Sequence, residues 1–485
     1  MSTKLTAFNE NNEKNFFAAI DRCACIVVKS AKNLYTDTAM RRDLIRKFVK
    51  YASLNMLGMI GLSLYILADT YFVSAKMGSD GLAALNIAIP AYSVINACGL
   101  MLGTGGATKY AVLHTQNDAR KEGIFTHTLI TGIGLGILFA LAGLFFSAPI
   151  ASALGANGEI IGLTDEYLRT LMLMSPFFIC NGLLNAYVRN DGSPNLSMAA
   201  MLIGSISNIF LDYLFMYPLN MGMFGAALAT GCAPILGLLT LSLHFVRRKN
   251  TFGIRFRRGY IENVGNAVKL GVPSFINEIS SGIVLLVFNY IILGISGNTG
   301  VAAYGVVANI SLVCVAVFTG LAQGMQPLVS SSYAMGDEKG VRTLHRCSLL
   351  TAAALGAVFI AICCALAPQL TAVFNSENDP LLAELAERGL RLYCAGFLFA
   401  GLNIVSAMYF TARERAAQAF TIALTRGFGA IIAFSFLFSF LWEMTGVWLA
   451  FPAAEALTLA LTAAFTIRLH KKRREGPDHS RSPSL

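Results

Sequence analysis

The sequence predicts an all-α polytopic membrane protein, with twelve transmembrane helices in two six-helix lobes related by a parallel internal repeat. Three observations carry that prediction. Of the 485 residues, 55% are apolar and only 13% charged, and the mean hydropathy is +0.60, whereas soluble proteins carry about 25% charged residues. The apolar residues fall into twelve runs, each long enough to cross a hydrocarbon core, which takes about 20 helical residues. The two halves of the chain also match each other. Such hydrophobicity excludes a disordered chain. With 44 Gly and only 2 Trp, the composition fits close-packed helices better than an aromatic-girdled barrel.

Residues 1–50 form a polar, basic tail ending in Arg46-Lys47-Phe48-Val49-Lys50. The first long apolar run begins near Tyr51, so no cleavable signal peptide is expected. Phe16, Phe17 and Ile20 fit either a short membrane-surface helix or a mobile tail. The first lobe, 51–248, holds apolar runs at roughly 51–74, 83–111, 124–148, 163–188, 194–217 and 223–245. A basic inter-lobe loop, 249–262, follows. The second lobe, 263–468, holds runs at roughly 264–293, 301–333, 347–373, 385–411, 418–441 and 446–467. Residues 469–485 are a second basic tail, with Lys471, Lys472, Arg473 and Arg474.

Charge orients these spans. With the N-terminus inside, about 31 of the 37 Lys and Arg fall in the tails and the even-numbered connections. Lys76, Arg169, Arg388 and Arg391 are the exceptions. Cytoplasmic loops collect Lys and Arg, so a multi-pass protein of the cell membrane with both termini cytoplasmic is expected. The net charge of +10 is then an orientation code, and no nucleic-acid partner is expected. The repeat appears at a shift of 219 residues, which places Leu82-Ala83-Ala84 over Val301-Ala302-Ala303 and Gly78 over Gly297. The same shift pairs Gly105 with Gly324, Asp118 with Asp337 and Pro149 with Pro368. Slightly larger shifts pair Asn181 with Asn403 and Gly222 with Gly446.

Ten cysteines show no paired framework, and most lie in apolar runs, so no disulfide is expected. Cys23 and Cys25 alone are a weak metal signal. The stretch GTGGATK (103–109) lacks the ending of a phosphate loop and lies in a span. No catalytic signature is present, so an enzyme is not expected.

Ionisable groups inside spans usually face a cavity or a partner. Asp69 (span 1), Asp212 (span 5), Glu278 (span 7) and Glu455 (span 12) are such groups. Arg426, early in span 11, is expected to snorkel to the cytoplasmic surface. Counting from the outer ends puts Asp69 about four residues down, Asp212 about five and Thr230 about eight, levels that agree within about 6 Å. Asn208 and Asp212 share one face of span 5, with Ser205 a turn further along. Two carboxylates, an amide and a hydroxyl at one level suit a hard monovalent cation. They can equally share a proton, and each Asp can also act separately as a helix staple. The second half lacks this cluster, with Phe288 where the repeat places Asp69. It offers Glu278, five residues after Pro273, and the polar set Gln323, Gln326 and Asn403. Glu278 suits a cationic substrate or a proton, or the backbone groups freed by Pro273.

The stretches LADTYFVSAKMGSDGLAALNIAIP (67–90), GLMLGTGGATKYAVLHTQNDARKEG (99–123), NGLLNAYVRNDGSPN (181–195) and SNIFLDYLFMYPLNMGMFGAALAT (207–230) resemble the multidrug and toxic compound extrusion (MATE) family. So do GLAQGMQPLVSSSYAMGDEKG (320–340) and GVWLAFPAAEALT (446–458), and the likeness covers about residues 45–470. The resemblance implies secondary active export of organic cations and related toxic compounds by alternating access, coupled to Na⁺ or H⁺ and using no other cofactor. For prokaryotic relatives it implies a coupling site at Asp69, Asn208, Asp212 and Thr230, with Tyr167, Asn181 and Asn185 lining the same lobe. It places Glu278, Gln326 and Asn403 among the substrate- and cavity-lining positions. Glu278 lies about one turn closer to its proline than the family's Glu, and Asn403 stands where span 10 can carry a carboxylate. Both departures argue against a second-lobe coupling site. The basic N-terminal extension has no counterpart. The expected partners are a cationic amphiphilic small molecule and membrane lipid, with the protein a monomer. The alternative is a lipid-linked oligosaccharide flippase of the same superfamily, which needs a cationic cavity for pyrophosphate. Acidic intramembrane residues favour a cationic or neutral substrate.

Overall fold

The computed structural model describes residues 39–158, 160–375 and 379–474. Cys23, Cys25, Phe16, Phe17, Ile20 and most of both tails lie outside the described residues. Among the described residues all regular structure is helical. Eight helices are long and apolar enough to cross a membrane, and the bent pair Ile160–Leu173 and Ser175–Asn190, at 49°, makes a ninth crossing.

Three of those nine segments contain two spans each, because the chain reverses without a loop. The helix Ala39–Thr115 breaks at Gly78 (φ 67°, ψ −154°) and Tyr260–Ala334 breaks at Gly297 (φ 60°, ψ −155°). Tyr65 and Tyr92, almost symmetric about Gly78, bring their hydroxyls within 3.0 Å. Phe288 and Tyr304 likewise flank Gly297 and stack at 5.0 Å. Ala430–Arg474 breaks at Trp442 and Glu443, which completes twelve spans. The left-handed backbone at Gly78 and Gly297 excludes most side chains. These are the glycines that the 219-residue repeat pairs, and their dihedral angles agree within 7°. The sequence leads one to expect connecting loops at these places. Instead the helix continues on both sides of each break and one residue makes the turn, with Lys76, Ser79 and Asp80 exposed around Gly78.

Other details repeat between the halves. Asp118 and Asp337 both cap the turn that opens the next span, accepting from the backbone N–H of Arg120 and Gly340. Span 4 is broken at Met174, and span 10 between Tyr393 and Ala395. The first lobe packs around Val73, Leu168 and Met216 towards one end and Leu102, Phe125 and Tyr187 towards the other. The second packs around Phe288, Phe318, Tyr409 and Trp448.

The lobes meet at the face where the described chain begins and ends. Ile45, Phe48 and Ala52 at the start of span 1 belong to the second lobe's core. Gly105 (span 2) lies against the backbone of Ala267 and Gly271 (span 7), and Gly324 (span 8) against that of Tyr51 and Ala52. Polar contacts reinforce this seal. Gln326 Nε2 donates to the Thr104 carbonyl at 3.1 Å and to Thr108 Oγ1 at 2.5 Å. Arg189 donates to Gln323 Oε1 at 3.0 Å, and Lys109 pairs with Glu414 at 2.7 Å. Gly105→Leu would drive a side chain into backbone, at a strain of about 1–3 kcal/mol. The variant is expected to hold the lobes apart at this face and to increase maleimide labelling of a cysteine introduced at Thr108. Unchanged labelling would mean that the glycine contact does not seal the lobes.

Candidate functional site

Local sequence brings four spans of the first lobe together around two acids. Span 5 (Pro194–Met216) starts on a proline, whose fixed φ and missing N–H suit a first helical position. It stops just before Pro218, and Asn220 (φ 50°) and Gly222 (φ 59°) take left-handed conformations in the turn that follows. Span 6 (Gly222–Val246) thereby returns beside span 5. Asn208 Nδ2 lies 3.5 Å from Thr230 Oγ1. With its amide turned, Asn208 donates to Asp212 Oδ2 at 3.1 Å and accepts from the Thr230 N–H at 3.3 Å. Tyr167, on the half of span 4 before Met174, is buried beside Thr230 and interacts electrostatically with both Asp69 and Asp212. The two carboxylates interact with each other. Span 1 extends to Gly78, so Asp69 sits about nine residues, or about 13 Å, below the turn.

Burial makes this arrangement chemically demanding. Asp212 and Asn208 are 0% exposed, Tyr167 3%, Thr230 4% and Asp69 7%. Neither carboxylate takes part in any ion pair among the described residues. One oxygen of each, Asp69 Oδ1 and Asp212 Oδ1, has no hydrogen-bond partner. Two buried acids without a base require a proton or a cation. The unpartnered oxygens, with the Asn208 and Thr230 oxygens, are ligands of the kind a hard cation takes. Sequence reasoning missed Tyr65, which lies one turn before Asp69 and within its electrostatic range. Its i, i+4 spacing to Asp69 was the available signal.

The other expected residues are dispersed. Asn181 lies on span 4 against Gly237 of span 6, with its Oδ1 unpartnered. Asn185 accepts from Ser197 Oγ at 2.7 Å and donates to the Ser197 carbonyl at 3.2 Å, nearer the sealed face. Gln326 and Asn403 are both 0% exposed. They sit in packed contacts rather than on an open wall, because each amide finds partners on a neighbouring span. Glu278 Oε1 accepts from Asn96 Nδ2 at 2.8 Å, joining span 7 to span 2 across the lobes.

Arg426 corrects the snorkelling expectation. It lies in a π-helical turn, Thr425–Gly429, where Gly427 abuts Ser280 of span 7. Its guanidinium pairs with Glu455 Oε1 at 2.7 Å and donates to Asn277 Oδ1 at 3.2 Å. Glu455 Oε2 accepts from Asn403 at 2.7 Å, and Thr462 donates to Asn403 Oδ1 at 3.1 Å. A fixed carboxylate within contact distance outcompetes the distant surface. Both Glu455 oxygens are thus occupied by protein donors, in contrast to the acids of the first lobe.

The MatE family model matches residues 55–214 and 273–437, one stretch in each lobe. The multidrug export protein MepA of Staphylococcus saprophyticus is 26% identical over 421 residues, covering 86% of this chain and 92% of that protein. MepA of Staphylococcus aureus is 25% identical over 421 residues with the same coverage. Among solved structures, a multidrug resistance MATE family transporter of the MOP superfamily in an outward-facing conformation superposes with a TM-score of 0.83. It is 23% identical, over 90% of this chain and 100% of the other. A MOP superfamily transporter from Pyrococcus furiosus, described by the reverse polarity of its binding pocket, gives 0.82 at 23% identity, over 91% of this chain and 100% of its own. These structural likenesses concern the fold. Matched in both lobes by the family model, the chain belongs to the MatE family: it is a multi-span membrane transporter and not an enzyme.

Proposed function

We propose that the protein is a secondary active exporter of drugs and related toxic compounds, driven by Na⁺ or H⁺ through Asp69, Asn208, Asp212 and Thr230. The observation that carries this reading is the buried acid pair with no base beside it among the described residues and one unpartnered oxygen on each carboxylate. The similarity to multidrug export proteins supplies the substrate class. The Lys and Arg distribution supports a cytoplasmic position for the termini and for the face where the lobes are sealed. The acid pair lies nearer the opposite end, so its cation or proton arrives from outside. Neutralising the acids removes their mutual repulsion and lets spans 1, 5 and 6 repack. Transport then requires only that the two lobe arrangements differ in affinity for the ion. Glu278, held by Asn96 between the lobes, is an acceptor for a cationic substrate. Arg426 is committed to Glu455, which weakens the flippase alternative, since pyrophosphate needs an available cation.

Everted membrane vesicles loaded with a cationic dye test the proposal, with a Na⁺ gradient and a pH gradient imposed separately. One gradient is expected to drive dye movement against its concentration and the other to have little effect. Dye movement indifferent to both gradients would sink the coupling proposal.

A further inference from the structure

A cleft of about 470 Å³ opens between spans 3, 4 and 6 at the sealed end of the first lobe, away from the acid pair. Its walls include Phe125, Leu129, Leu184, Leu238 and Phe245, and Asn250, Gly253 and Ile254 of the following loop close its floor. The volume falls within the range of about 300–1,000 Å³ that ligand sites occupy. The floor is held in place: Asn250 donates to the Phe252 carbonyl at 2.8 Å, and the Thr251 N–H donates to Asp191 at 2.8 Å. The Arg255 N–H donates to Thr126 Oγ1 at 2.7 Å. The Asn250 amide donor is thus directed to the loop itself, so the walls present mainly hydrocarbon. A polar solute gains nothing there, whereas an alkyl chain does.

The rim is cationic. Phe245 and Asn250 both line the cleft, and the short segment joining them carries Arg247, Arg248 and Lys249. All three are exposed, and among the described residues no carboxylate forms an ion pair with them. Arg255 and Arg257, by contrast, are engaged by Glu122. Val246, Ile254 and Phe256 are 74%, 66% and 81% exposed beside these cations. Apolar side chains interleaved with cations at a span end match the boundary between acyl chains and headgroups.

We propose that this cleft holds one acyl chain of an anionic phospholipid whose phosphate is met by Arg247, Arg248 and Lys249. The site is separate from the acid pair and does not depend on which ion or substrate is carried. Bound lipid would brace the inter-lobe loop against spans 3 and 6.

The test uses the full-length protein, purified, exchanged into phosphatidylglycerol or phosphatidylcholine of identical chains, and weighed intact by native mass spectrometry. Phosphatidylglycerol is expected to be retained about tenfold better, as one or two cation–phosphate contacts provide. Leu184→Trp, which fills the cleft, is expected to remove that advantage. The triple change Arg247→Gln, Arg248→Gln and Lys249→Gln is expected to lower phosphatidylglycerol to the phosphatidylcholine level while leaving the latter unchanged. Equal retention of the two lipids by the unmodified protein, or an advantage that survives either variant, overturns the proposal. A phosphatidylglycerol with a photoreactive acyl chain gives a readout without mutation. Labelling of peptides containing Phe125, Leu129, Leu184 or Leu238 supports the site, and labelling confined to spans other than 3, 4 and 6 overturns it.

Discussion

Asp212→Asn is expected to weaken ion-driven efflux by about 10–100-fold, the value of losing one charged ligand or proton site, without destabilising the fold. The two halves of this expectation rest on different facts. Asp212 is fully buried, has no basic partner among the described residues, and keeps Oδ1 unpartnered. Its charge therefore does not stabilise the lobe, and replacing it with a neutral isostere leaves the melting temperature equal or higher. Transport falls because the isostere neither binds a proton nor supplies a charged oxygen. Asp69→Asn is expected to act alike, and the double variant to be no worse than either single one, since the two acids act as a unit. Proteoliposomes with an imposed gradient and a thermal melt of the same preparations measure both quantities. Retained gradient dependence in Asp212→Asn would remove the residue from the coupling site.

Arg426→Met is expected to produce the opposite pattern, a large loss of stability. It leaves Glu455 buried at 2% exposure, with Asn403 as its remaining side-chain partner. Breaking one side of a buried ion pair typically costs about 3–5 kcal/mol. The double change Arg426→Met with Glu455→Met removes both charges and is expected to recover most of that loss, because the pair's desolvation offsets its attraction. Detergent-solubilised protein assayed by thermal unfolding distinguishes the cases. Equal destabilisation of single and double variants would mean that packing around the π-helical turn, not charge, holds spans 11 and 12.

Much of the architecture was legible in the sequence because lipid imposes a one-dimensional rule. A span must be apolar over about 20 residues, so twelve runs show directly. Gly78 and Gly297 were legible as a repeat, and the structure adds that each alone reverses the chain. The break at Met174 had a signal in Pro176, in the first turn of the next helix, which was passed over inside an apolar run, whereas the break at Cys394 has no proline beside it. The proximity of Asp69, Asn208, Asp212 and Thr230 followed from counting depth and helix face, both properties of single helices.

Which partners a residue meets across helices is another matter. Arg426 looked like an interfacial arginine because its position along span 11 is near an end, and only the neighbouring spans place Glu455 and Asn277 beside it. Gln326 and Asn403 looked like cavity residues because they are polar, but both are fully buried and their amide N–H groups are taken by facing backbone and side-chain groups, while Gln326 Oε1 stays unpartnered. The cleft between spans 3, 4 and 6 likewise exists only once three helices and a loop are packed. The sequence by itself therefore determined the span number and the internal repeat, and it brought the two acids together, although Asp69 lies about nine residues from its turn and not the four counted, because span 1 runs on to Gly78. Tertiary structure alone decided which buried charges are paired and which are left open, because pairing depends on distances between helices that no periodicity encodes.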